Sequence, residues 1–180
     1  MTIFTPLGIE GVWLVQNKVY NDDRGILIEW MRTTGVMSTL GIDFTVKQAN
    51  YSQSSAGVIR GIHYSLAPEG QAKYITCTSG KLWDVIVDIR IGSQTFGKWV
   101  ATELTAGDGQ AIFISKGLGH GFQALSDSSS ISYLLSSIYN PNLEYSINPL
   151  DPDLNIKWPI KESKISDRDR EAPLFTKRKI

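Results

Sequence analysis

In LWDVIVDIR, residues 82–90, the apolar residues Trp83, Val85, Val87 and Ile89 fall on one side and Asp84, Asp88 and Arg90 on the other. A period of two is that of a β-strand with one face turned to a core. Similar short runs rich in β-branched and aromatic residues recur in GVWLVQNK, GILIEWM, DFTVKQANYS, AKYITCTS, GKWVATEL, QAIFIS and SISYLLSSIY. Turn-forming clusters separate them: YNDDRG, SSAG, APEG, TSGK, IGSQTFG, TAGDGQ, YNPN and PLDPD. No amphipathic stretch of crossover length lies between the strands, so the pattern predicts an all-β fold, a jelly-roll barrel or sandwich rather than a βαβ array. Helix is confined to two short pieces. One lies in TTGVMSTLG, near residues 33–40, and the other opens SDRDREAPLF, where Ser166 stands three residues before Asp169 in an N-cap pattern. The closing KRKI reads as a frayed, solvated tail.

Composition narrows the classes. A chain of 180 residues with no repeat, linker or low-complexity tract fits one domain over residues 1–180 and can bury a sizeable core. Lys plus Arg and Asp plus Glu are 18 each, so no global field draws the protein to nucleic acid or an anionic membrane surface. The single Cys77 excludes an internal disulfide framework and suits a reducing compartment, the cytoplasm. The start, MTIFTPLGIEGVW, lacks an export pattern, and no run of about 20 apolar residues occurs.

The two histidines, His63 in RGIHY and His120 in GLGHGF, sit among glycines in what read as strand-edge contexts. Alone, each is better explained as a hydrogen-bonded structural residue than as a catalyst. Arg60 and Lys73 lie close to His63 in sequence, and on paired strands these groups can converge in a barrel interior, where ionisable side chains are costly unless used or paired. Two histidines and one strand cysteine cannot assemble a closed zinc site or a three-histidine iron site, so no metal is expected. Walker, dinucleotide-binding and G-x-S-x-G motifs are absent as well. What remains is acid–base chemistry at carbon: a base of near-neutral pKa, an opposing acid and a cation beside a developing oxyanion, which His63, a tyrosine and Lys73 would supply.

Several motifs in register then carry a family resemblance: DDRG with IEW, QANYSQSSAGVIRGIHY, GQAK, GKLWDVIVDIRIGSQTFGKW, ISKGLGHGF, ISYLLSSIYNP with Glu144, DPDLNIKWP and SDRD. Together they resemble the dTDP-4-dehydrorhamnose 3,5-epimerase family, from about residue 11 to 175. The resemblance implies a cupin-type jelly roll, a homodimer whose partner contributes to each cleft, and no metal or redox cofactor. It implies as substrate a nucleoside-diphospho-4-keto-6-deoxyhexose, carried on dTDP or on CDP. By motif position His63 would be the base, held by Asp169, with Tyr133 as the acid across the ring and Lys73 near the C4 carbonyl oxygen. His120 would line the sugar pocket. Arg24, Glu29, Gln48, Asn50 and Arg60 would grip the nucleotide and diphosphate, with Glu144 and with Arg168, where the family often has another cation. Read from the residues alone, Asp169 is better explained as a helix-cap partner of Ser166 and Tyr133 as a packing residue, while Arg24 is equally a surface ion pair.

The chain departs from the family's commonest pattern. Ile26 and Leu27 stand where two Phe follow RG, Tyr51 stands for a His, Ala72 for a Gly before Lys73, and a Trp is missing near Pro149. These changes leave open whether C3, C5 or both are inverted. They also keep two alternatives in play, a 3,4-ketoisomerase of the same fold and a non-catalytic nucleotide-sugar-binding barrel.

Overall fold

The computed structural model describes residues 2–66 and 70–178. In chain order the elements are β1 (Ile3–Pro6), β2 (Val12–Gln16), β3 (Val19–Asp22), β4 (Gly25–Ile28), α1 (Thr33–Leu40), β5 (Gln48–Ser54), β6 (Val58–Ser65), β7 (Lys73–Ser79) and β8 (Lys81–Asp88). They continue with β9 (Trp99–Thr105), β10 (Gln110–Ile114), β11 (Leu118–Ala124), β12 (Ser129–Leu135), β13 (Glu144–Ser146), β14 (Lys164–Ile165), α2 (Asp167–Arg170) and a 3₁₀ turn at Phe175–Lys177. The expected strands and both expected helices are present. Of the turn read at APEG, residues 67–69 lie outside the described residues.

Two sheets face each other in a jelly roll. One runs β1-β2-β10-β7-β12-β5; the other runs β13-β6-β11-β8-β9, with β14 added beside β6. Within these sheets, only the short β14–β6 pair is parallel among the described residues. Strands β3 and β4 form a hairpin of their own, paired to neither sheet.

Between the sheets, Ile75, Ile112, Ile114 and Ile131 from the first pack on Leu82, Ile86, Leu104 and Leu118 from the second. Fully burying a side chain of this size contributes roughly 1.5–3 kcal/mol over leaving it exposed. The second sheet is also buried on its outer side, where Val85, Val87 and Ile89 lie under Ile147, Leu154, Ile156 and Phe175 of the C-terminal segment. The first sheet carries α1 and Phe44 on its outer side, over Tyr74, Ala111 and Phe113.

These layers correct the reading of LWDVIVDIR as half solvated. Both faces of β8 are buried, and its polar residues Asp84 and Asp88 are fully enclosed. Asp88 accepts from Arg90 Nε at 2.9 Å and Nη2 at 2.8 Å and from Ser93 Oγ at 2.6 Å, which holds the IGSQT loop. Burial pushes its carboxyl up, but these donors, Thr95 and the Arg90 backbone N–H outweigh that and hold it well below the ordinary range. The tail is also more fixed than KRKI suggested. The Arg178 guanidinium stacks over Phe96 and Phe175 and donates to the Phe175 and Ile89 carbonyls; Lys179 and Ile180 lie outside the described residues.

Candidate active site

The two histidines are not at strand edges. His63 and His120 face each other across the β6–β11 ladder, inside the second sheet. Between the pairs His120↔His63 and Phe122↔Arg60, β6 uses one residue more than β11, a bulge at Gly61 and Ile62. Residues three apart on a regular strand point to opposite faces; the bulge re-aims the chain so that Arg60 and His63 line the same depression, of about 430 Å³. Glycine permits this. Gly61 has φ +124°, and a Cβ there would come within 2.5 Å of the Gly121 Cα, while one on Gly121 would meet the Arg60 carbonyl oxygen at 2.9 Å. The RGIH and GHG motifs are two halves of one close approach.

His63 Nε2 lies 2.8 Å from Asp169 Oδ1. The other carboxylate oxygen accepts from the Gly61 N–H at 3.3 Å. Asp169 also donates its backbone N–H to Ser166 Oγ at 3.2 Å, so it is both the capped residue of α2 and the histidine's partner. Burial alone would raise the Asp169 carboxyl. The hydrogen bond and charge of His63, the Gly61 N–H and the charge of Arg168 hold it below the usual range. An ionised Asp169 fixes His63 with its Nε2 proton outward to the carboxylate and Nδ1 free to accept.

A cavity of about 270 Å³ brings His63, Lys73 and Tyr133 together, with Gln48, Asn50, Glu144 and Arg168 on its walls. Tyr133 pairs across the ladders with Asn50 on β5 and Ile75 on β7, which turns its ring inward over the core. Lys73 opens β7; its Nζ donates to the His63 carbonyl oxygen at 3.5 Å, and burial pushes the amine down to about 8 against the opposing charges of Glu144 and Asp84. Gln48 Nε2 donates to Asn50 Oδ1 at 2.9 Å, and Gln48 Oε1 accepts from the Tyr139 N–H at 2.7 Å. Arg60 is steered by Ser54 Oγ and the Gln53 carbonyl.

His120 does not line this cavity. It is buried beneath it, where Nε2 donates to Asp84 Oδ2 at 2.9 Å, and burial lowers its pKa despite that carboxylate. Arg24 and Glu29 are not at the cavity either. Arg24 lies at the tip of the β3–β4 hairpin, its side chain 85% exposed and paired with Asp22. Glu29 pairs with Arg32 at 2.6 Å. Among the described residues, no group of three or more His, Cys, Asp or Glu is placed to hold a metal ion.

Sequence reading missed four polar residues of this region. Gln71, Tyr139 and Tyr145 line the cavity, and Asp84 lies beneath it. The signal available for Gln71 was its place in GQAK; Asp84 was assigned to solvent by the alternation of its strand.

The pattern of a histidine oriented by a carboxylate, facing a tyrosine and a buried lysine, can be compared with known proteins. A sequence profile described as dTDP-4-dehydrorhamnose 3,5-epimerase matches residues 6–177. The chain belongs to this family. It is 44% identical over 172 residues to the dTDP-4-dehydrorhamnose 3,5-epimerase of Mycobacterium tuberculosis, covering 94% of this chain and 85% of that one. A 4-keto-6-deoxy sugar epimerase from the novobiocin gene cluster of Streptomyces spheroides superposes with a TM-score of 0.94 at 42% identity, covering 98% of this chain and 88% of the other. A 3'-monoepimerase from Streptomyces bikiniensis, solved with dTDP-quinovose, matches with a TM-score of 0.91 at 45% identity over 95% and 87% of the two chains. Family membership agrees with the jelly roll. No helix among the described residues is long and apolar enough to cross a membrane.

Proposed function

We propose that this protein is an epimerase that inverts C3, C5 or both in a dTDP-linked 4-keto-6-deoxyhexose. The observation that carries the reading is the single cavity lined by His63, Lys73 and Tyr133, with His63 oriented by Asp169. His63 Nδ1 takes the proton from the carbon beside the C4 ketone, and the C–H electrons move into an enolate whose charge resides on the C4 oxygen. The Lys73 ammonium stabilises that oxygen. Losing one such donor costs roughly 2.7–4 kcal/mol of transition-state stabilisation in other enzymes. Tyr133 returns a proton to the opposite face from its phenolic O–H. The phenolate then regains a proton from solvent, and the His63 imidazolium releases the abstracted proton to solvent, which restores the resting site. Arg60 and Arg168 bind the diphosphate, and Gln48, Asn50 and Glu144 the remainder of the nucleotide-sugar.

Arg24 and Glu29 complete the site from a second copy of the chain. The hairpin that carries Arg24 pairs to neither sheet and exposes Tyr20, Ile26 and Leu27, the last at 70%. Apolar side chains held outward on a separate ribbon fit a subunit contact. The buried, free Cys77 is consistent with a cytoplasmic location.

Incubation with dTDP-4-keto-6-deoxyglucose in deuterated water, followed by NMR, tests the function. Deuterium at C3, C5 or both with inverted configuration is expected. A carbonyl moved to C3 would assign the ketoisomerase reaction instead, and binding of dTDP with no exchange at any carbon would make the protein a binder.

A further inference from the structure

Lys73 is 7% exposed, and the His63 carbonyl is the one hydrogen-bond acceptor found for its Nζ among the described residues. An ammonium in such a place is unstable unless opposite charge faces it. The titratable and charged groups around it come from six elements: His63 on β6, Asp84 on β8, His120 on β11, Tyr133 on β12, Glu144 on β13 and Arg168 at α2. Tyr139 and Tyr145 share the same cavity wall. Only the two carboxylates of this set act to keep the amine protonated.

Asp84 is the unusual one. It is fully buried, and among the described residues its one side-chain hydrogen-bond partner, His120, engages Oδ2 alone, leaving Oδ1 without a donor. Burial lowers the His120 pKa, and the nearby charges of Lys73 and His63 push in the same direction. His120 orients the carboxylate through Oδ2 and leaves Oδ1 unpaired on the buried side. Glu144 also has a buried oxygen without a donor, yet it lines the cavity that a sugar would enter, whereas Asp84 is sealed beneath it.

We propose that Asp84, fixed by His120, shares with Glu144 the counter-charge that keeps Lys73 cationic, which makes Asp84 a positioning residue for the reaction although it does not line the cavity. The proposal rests on the reading of Lys73 as the cation at the enolate oxygen. Its sign follows from charge: a raised amine pKa means the ammonium persists to higher pH, and removing the carboxylate moves its loss toward acid.

The test is a pH series of solvent-deuterium exchange for wild type and Asp84→Asn, combined with NMR titration of the Lys73 ¹³Cε signal, assigned with Lys73→Met. In wild type the Lys73 midpoint and the alkaline fall in exchange are expected near 8. In Asp84→Asn both shift toward acid by about one pH unit or more, so exchange at pH 8 falls about fivefold or more and recovers on acidification. A purely structural defect would lower exchange at every pH without moving the midpoint. Should Asp84→Asn fail to fold, the wild-type Asp84 ¹³Cγ signal serves: it is expected to register the Lys73 titration and to lose that step in Lys73→Met. A Lys73 midpoint unchanged in Asp84→Asn, or an Asp84 signal blind to Lys73, overturns the proposal. Undiminished exchange by Lys73→Met would instead overturn the catalytic reading of Lys73, and the titrations would still report on the coupling.

Discussion

His63 and Asp169 show how a side chain's role is set by what touches each of its atoms. Both Asp169 oxygens and its N–H are occupied, by His63, Gly61 and Ser166, so the carboxylate cannot rotate away from the imidazole. The depressed carboxyl of Asp169, like that of Asp88, ties stability to pH. Because folding lowers these pKa values, the stabilisation is complete above about pH 5, where the unfolded carboxyls are ionised too, and is lost as pH falls through the folded values. Acid unfolding followed by fluorescence should therefore show stability declining below that pH, and Asp88→Asn should flatten the decline while lowering stability by about 2–3 kcal/mol at pH 7. Cys77 makes the opposite case. Burial pushes its thiol up to about 11, and its Sγ donates to the Ser79 and Gly80 carbonyls. Native protein should leave a thiol reagent such as DTNB unconsumed at pH 8, with reaction appearing only on unfolding.

At the scale of elements, the site depends on one irregularity. Strand β6 bulges at Gly61 so that Arg60 and His63 share a side, and β11 comes close enough to β6 that neither Gly61 nor Gly121 has room for a Cβ. Gly61→Ala should cost about 1–3 kcal/mol of stability and reduce exchange more than that loss explains, since the displaced backbone carries His63. Thermal melting and the exchange assay measure the two effects separately. Much of this level was legible in the chain. The alternating runs gave the strands, the SDRD cap gave α2, and the motifs gave His63, Lys73, Tyr133 and Asp169. Asp84 was not legible, because alternation marks a polar position as solvent-facing and carries no information about a second layer. Here the polar side of β8 faces the barrel interior, and the C-terminal segment covers the apolar side. The position of Arg60 was hidden for a related reason: a bulge leaves only a glycine in the sequence.

At the scale of the molecule, the residues assigned to substrate fall into two groups. One surrounds His63; the other, Arg24 and Glu29, stands on or next to a detached hairpin. If two copies exchange hairpins, His63→Ala and Arg24→Ala subunits complement each other. Each is impaired alone, and reassortment after mixing forms heterodimers with one intact site, so activity should return to roughly a quarter of wild type in a one-to-one mixture. Absence of recovery despite shown subunit exchange would confine each site to a single chain.

The most direct test of the whole account compares wild type, His63→Ala and Tyr133→Phe in deuterated water with dTDP-4-keto-6-deoxyglucose, following label at C3 and C5 by NMR. The account predicts brisk incorporation by wild type, none above background by His63→Ala, and in Tyr133→Phe a greater loss of inversion than of exchange. Brisk exchange by His63→Ala would contradict it, because another group would then be removing the proton.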